Sequence, residues 1–295
     1  MDRTRLDSLI GGLTKAVALL SVSTFFFMLV GLLIKSGNIL SSHSLSELLF
    51  STNWSPSKGN FGFYPFITGT LLVTLSTMAI SVPLCLMSAI YLTEYSGKKF
   101  RSTVKTSIDT LAGIPSVVFG LWGVLFVVPL VREVIAPAFG AETSGYCILS
   151  GALVLGIMVV PIMLSIMKDV IGSVPQDLKE SSFALGATRW QTMKHVVLPK
   201  TAHGLFSAVI LGFSRAFGET MAVLMVVGNV AVHARSVFDP AYPLSALIAN
   251  NYGEMLSIPL YDSALMFAAL LLLVIVVVFN VMARSVLTQL KMEEC

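Results

Sequence analysis

Apolar residues in this chain come in long blocks separated by polar stretches, not at the spacing of one-sided helices or alternating strands. A helix needs about 20 such residues to cross the roughly 30 Å of hydrocarbon in a bilayer. Six blocks meet that length, at about Leu13–Ile34, Phe66–Leu92, Ile108–Leu130, Tyr146–Met167, Leu205–Val230 and Ser263–Val286. They predict an all-α polytopic membrane protein with six transmembrane helices, organised as a single domain over residues 1–295. Pro83, Pro115, Pro129, Pro161, Gly113, Gly120 and Gly123 lie inside the blocks. Small residues let membrane helices approach closely, and proline frees carbonyls where a neighbour or a cavity can absorb the loss. A packed, kinked bundle accounts for these residues. A second reading makes Gly113-Ile114-Pro115-Ser116 the lining of a path, with freed carbonyls and the Ser116 hydroxyl facing it.

Composition sharpens the assignment. Only 12% of residues are Asp, Glu, Lys or Arg and the mean hydropathy is +0.85, whereas a patch-free surface in water needs about 25–35% charged residues. An ordinary cytosolic enzyme is excluded. A net charge of +3 without any run of like charges offers no arm for nucleic acid. Cys85 and Cys147 sit in or beside apolar blocks and read as small apolar residues, and Cys295 stands last, in the wrong place for a prenylation signal. His43, His195, His203 and His233 lack the spacing of a metal site.

Arg3, Arg5 and Lys15 precede a first block too long for a signal-peptide core and without a clear small-x-small site, so it reads as an uncleaved span. With the N-terminus in the cytoplasm, every Lys and Arg except Lys35, Lys58, Arg132, Arg215 and Arg235 falls on the cytoplasmic side, which places both termini there. On the outer side, Trp54, Phe61, Phe63 and Tyr64 fit either a landing surface for a soluble partner or an interfacial aromatic belt.

Residues 169–202 leave hydrocarbon for longer than a connection requires. Pro175 suits a helix start, Asp177 and Glu180 place acids near that start, and Gly186 suits a left-handed cap at the end. Thr188-Arg189-Trp190-Gln191 has capping-box spacing, and Pro199 is expected to stop the second helix. Two short cytoplasmic helices result, with Phe183, Leu185, Trp190 and Met193 forming apolar surface for a groove on a soluble partner. Glu180-Ser181-Ser182, three residues, Gly186, nine residues and Val196-Val197-Leu198-Pro199 resemble the EAA loop of ABC importer permeases, E-A-A-x3-G-x9-I-x-L-P, with Ser for both alanines and Val for isoleucine. In that family the loop docks into the ATPase subunit, so the resemblance implies a coupling loop at 169–202 in which Glu180, Ser181, Ser182, Leu185, Gly186 and Trp190 take part.

Arg215 and Glu219 lie four residues apart and so on one helix face. A charge at mid-span costs about 2.5–3.5 kcal/mol on insertion scales, so the two require a reason. One is an internal Arg–Glu lock. The other is a transient anion site, since guanidinium pairs bidentately with phosphate and a competing carboxylate keeps the anion from being trapped.

The stretches Arg215-Ala216-Phe217-Gly218-Glu219-Thr220-Met221-Ala222-Val223 with Gly228-Asn229, Ala112–Gly120 and Phe61–Thr70 resemble PstC-type permeases of phosphate ABC importers. Met221-Ala222-Val223 favours that type over the sister PstA type. The resemblance implies a type I ABC importer permease bundle in the bacterial plasma (inner) membrane. It implies pairing with a PstA-type permease, two PstB-type ATPase subunits and a PstS-type periplasmic phosphate-binding protein. It also implies a substrate pathway through Arg215 and Glu219, with Thr220, Ser116 and Asn229 beside them. The chain has no G-x4-G-K-[ST] loop, so it is read as a transport subunit with no cofactor of its own, ATP and Mg belonging to the partner ATPase. Sulfate or molybdate import and a passive anion channel stay open, because Arg pairs with any tetrahedral oxyanion.

Overall fold

The computed structural model describes residues 3–254, 258 and 260–292, which leaves Cys295 outside the described residues. In chain order the helices are α1 (Arg3–Ser42), α2 (Leu45–Phe50), α3 (Tyr64–Tyr95), α4 (Lys98–Ala112), α5 (Ser116–Ala138), α6 (Ile148–Gly172), α7 (Gln176–Ala184), α8 (Arg189–Gly218), α9 (Met221–Val226), α10 (Leu244–Asn251) and α11 (Tyr261–Met292). A two-stranded antiparallel hairpin, β1 (Trp54–Ser55) and β2 (Asn60–Phe61), lies between α2 and α3. Among the described residues six helices are long and apolar enough to cross a membrane: Ile10–Ser42, Tyr64–Tyr95, Ser116–Ala138, Ile148–Gly172, Arg189–Gly218 and Tyr261–Val286.

Two of these differ from the blocks read in the sequence. The third block, 108–130, is cut at Gly113-Ile114-Pro115: α4 ends at Ala112, Pro115 is extended (φ −60°, ψ 143°), and the span starts at Ser116 and runs on to Ala138. Proline has no N–H to give and disfavours helical geometry in the residue before it, so the apolar average hid a real break. The fifth block, 205–230, ends early at Gly218, while its helix starts back at Arg189. Pro199 does not stop it.

Pro83 and Pro161 sit inside α3 and α6 without interrupting them, and three further prolines are accommodated by widened turns. At 123–127, 131–135 and 193–197 the helix opens into a π-turn two residues before Pro129, Pro137 and Pro199. Val128, Ala136 and Leu198 each donate to a carbonyl five residues back. The wider turn draws the backbone aside from the proline ring, so the helix continues where an unmodified one would clash.

The main core lies between α3, α6 and α8, where Val73, Met78, Cys85, Leu155, Val159 and Met163 are buried. A second core closes one end of the bundle. Trp54 packs edge-on against Phe61, Phe63 and Phe66 with ring centroids 5.8, 5.3 and 4.8 Å apart. Phe61 and Phe63 are buried in that cluster, so they form neither a landing surface nor a lipid-facing belt; the hairpin folds them inward by pairing Trp54 with Phe61.

Candidate functional site

Two chain breaks meet in the middle of the bundle. One is Gly113–Pro115 before α5, the other Glu219–Thr220 before α9. A Cβ placed on Gly120 would lie 3.1 Å from the Ala222 Cα and 2.6 Å from the Met225 sulfur, and one on Gly123 would lie 2.8 Å from a Val226 methyl. Residues 120 and 123 thus pair with 222 and 226 in the same order, so the two helices run in the same direction and start at the same level. The depth follows from helical rise. Gly123 touches Val154, six residues along α6, and Ser116 lies seven residues further from that end, placing the breaks about 20 Å into a helix about 37 Å long. Ser116, Glu219 and Thr220 are thereby brought to one level, which holds both the first-turn N–H groups of α5 and α9 and the last carbonyls of α4 and α8.

The close contact requires glycine. Gly120→Val should push α5 and α9 apart and cost about 1–3 kcal/mol, because the Ala222 backbone cannot yield. Thermal unfolding in detergent and transport assays would check it; unchanged transport would detach this contact from the site.

Arg215 and Glu219 do not share a helix face. Glu219 follows the last residue of α8 in extended conformation (φ −75°, ψ 129°), and its Oε1 accepts the Ala222 N–H at 3.4 Å, at the head of α9. Its carbonyl accepts the Ser245 hydroxyl at 3.1 Å. Arg215 is exposed and makes no hydrogen bond or ion pair among the described residues, so the internal lock is not formed. The crevice beside Glu219, lined by Thr70, Thr74, Leu155, Ala216 and Ser245, holds about 10 Å³. One water would fill it.

Asn229 lies elsewhere, in a cavity of about 400 Å³ with Ser144, Tyr146, Gly228 and Pro240. It adopts a positive φ of 53° and its Nδ2 donates to the Leu224 carbonyl at 2.7 Å, closing the end of α9. Sequence reasoning missed Thr70 and Thr74 on α3 and Ser245 on α10, which pack around Glu219. The hydroxyl residues Thr70, Thr74, Thr77 and Ser81 recur at helical spacing within an apolar block, a signal that could have found that face.

The 173–199 segment is built for contact. Just past the end of α7, Gly186 adopts φ +83°, its N–H donates to the Phe183 carbonyl at 2.9 Å, and the Ala187 N–H donates to the Ser182 carbonyl at 3.2 Å, the paired bonds of a Schellman ending. The capping box at Thr188 is present: the Gln191 N–H donates to Thr188 Oγ1 at 3.3 Å and the Thr188 N–H to Gln191 Oε1 at 2.8 Å. The helix it starts is α8 itself, so the loop carries one free-standing helix, not two. Leu185 is 90% exposed, and Phe183 and Trp190 are also exposed, whereas Met193 is buried against the bundle because the helix turns it inward. Glu180 and Ser181 are exposed, and Ser182 is half-buried, its Oγ 2.9 Å from Thr192 Oγ1.

Residues 81–291 match the family described as binding-protein-dependent transport system inner membrane component. The chain is 37% identical over 262 residues to the phosphate transport system permease protein PstC of Xylella fastidiosa strain 9a5c, covering 84% of this chain and 80% of the relative. It is 34% identical over 304 residues to the protein of the same description from Haemophilus influenzae, covering 98% and 96%. Among solved structures, a chain of a bacterial ABC transporter involved in alginate import superposes with a TM-score of 0.63 at 18% identity, covering 98% of this chain and 99% of that one. At that identity the likeness speaks for the fold, a type I ABC importer permease bundle. From six membrane-length helices, the match over residues 81–291 and relatives aligned almost end to end, this chain belongs to the family of binding-protein-dependent transport system inner membrane components.

Proposed function

We propose that this chain is the transmembrane permease subunit of an ATP-driven importer of inorganic phosphate and forms half of its translocation path. The observation that carries this reading is the match, over 84% to 98% of this chain, to permeases described as phosphate-transport proteins. The other half is a PstA-type permease, and a PstS-type binding protein delivers the anion from outside. Two PstB-type ATPase subunits bind ATP and Mg and dock on the exposed residues Phe183, Leu185 and Trp190 of the coupling loop. Both termini face the cytoplasm, as the distribution of Lys and Arg requires.

The geometry supports alternating access. Arg215 offers a permanently charged guanidinium on an exposed face, with no partner among the described residues. Phosphate meets Arg215 when the partner permease covers that face. Closure of the ATPase dimer moves the coupling loop, and the bundle swings the Arg215 region from one side to the other.

Purification from native membrane should bring down an ATPase and a second permease; a solitary oligomer would support a channel. In the reconstituted complex with its binding protein, ATP hydrolysis should rise with phosphate and not with sulfate or molybdate. Stimulation by sulfate or molybdate in place of phosphate would move the substrate to that oxyanion.

A further inference from the structure

Lys179 is the one charged side chain buried among the described residues, and it sits on the inner side of the coupling helix, next to Glu180. Its Nζ donates to Glu94 Oε1 at 2.5 Å, with side-chain exposures of 11% and 16%. Glu94 belongs to the π-turn at residues 91–95 that ends α3. The same turn is gripped from α4, where Arg101 Nη2 donates to the Thr93 carbonyl at 2.6 Å. Lys179 and the Ser182 hydroxyl tie the coupling helix back to the bundle, while Leu185, at its C-terminal end, and Trp190, in the first turn of α8, stay exposed.

We infer that the Lys179–Glu94 pair is the positioning link that carries movement of the coupling helix into α3. A buried ion pair suits this task because removing one partner leaves an uncompensated charge, so the two elements cannot separate without a large penalty. Apolar contacts, being non-directional, would let α7 slide. Glu94 sits on a widened turn, where the α-helical bond ladder is already interrupted, so a pull there is passed to a helix that packs along α6 and also lines the Glu219 crevice through Thr70 and Thr74. Lys179 and Glu94 touch neither anion nor nucleotide in this scheme. They act through the helices they join, and the inference rests on the proposed docking of an ATPase at the coupling loop.

The test uses the complete importer in proteoliposomes and reads phosphate transported per ATP hydrolysed. Lys179→Met and Glu94→Gln should each lower that ratio about fivefold or more, the lower end of typical coupling factors, while ATP hydrolysis persists. The charge exchange, Lys179→Glu with Glu94→Lys, should restore at least half of it. A role limited to stability would reduce assembly, hydrolysis and transport together and leave the ratio unchanged. An unchanged ratio in the single variants overturns the inference, as does an exchanged pair that assembles but stays uncoupled. If the single variants fail to assemble, the exchanged pair decides: coupling regained supports the link, and failure to assemble or couple overturns it. The docking reading is tested separately by Leu185→Asp, which should release the ATPase from the purified complex; full retention would sink that reading whatever the ratio shows.

Discussion

Replacing Arg215 with Gln should lower phosphate uptake by the reconstituted importer about 10- to 100-fold and leave assembly intact. The size follows from losing one charge-assisted contact, about 1.5–3 kcal/mol, at about 1.4 kcal/mol per tenfold change. No structural cost is expected, since Arg215 is exposed and makes no ion pair or hydrogen bond among the described residues. Had it formed a lock with Glu219, the same substitution would strand a carboxylate inside the membrane and damage folding first. Radiolabelled phosphate uptake, read beside the yield of the purified complex, separates the outcomes. Full uptake by the variant removes Arg215 from the mechanism, and loss of the complex would mean that its part is structural.

Gly186→Val should uncouple ATP hydrolysis from transport, whereas Gly186→Asn should keep most of the coupling. At φ +83° an ordinary L-residue pays about 1–2 kcal/mol, and a β-branched one more, while Asn tolerates this region. A Cβ here would meet nothing within 4 Å in this chain, so packing adds no penalty of its own. The cost therefore lies in the Schellman ending, whose loss would swing Leu185 out of register with a docking groove. Phosphate transported per ATP hydrolysed is the measurement. Equal coupling in both variants would count against any need for the left-handed turn.

Of the two residues, Gly186 adopts the left-handed turn the sequence predicts, whereas Arg215 does not share a helix face with Glu219. The exposed apolar side chains Leu185 and Trp190, the left-handed Gly186 and the Thr188 capping box were legible because each depends on neighbours within a few residues. Arg215 and Glu219 stood out because charge is scarce in an apolar block, yet the shared face inferred for them assumed a helix that in fact ends at Gly218. Gly218 is the local signal for that end, but no proline follows it and the block is largely apolar through Val230, so the packing of α9 against α5 was needed to show where the chain turns.

Proline misled in the opposite direction. Pro115 breaks a helix and Pro199 does not, although both sit in runs that read as helical, because a π-turn can shift the backbone away from the ring where neighbouring helices hold the wider turn in place. The Lys179–Glu94 pair was beyond reach for a related reason. Its members are 85 positions apart, and each by itself looks like one more cytoplasmic charge.

By itself, the sequence determined the membrane class, the number of spans, their orientation as an expectation, and the local chemistry of the coupling loop. Those properties rest on transfer free energies and short-range hydrogen bonds, which add along the chain. Only the tertiary structure decided that the two chain breaks lie at one depth, that Arg215 has no partner among the described residues and that the coupling helix is tied to α3. These depend on which distant segments share a surface, and no sum over neighbouring residues contains that information.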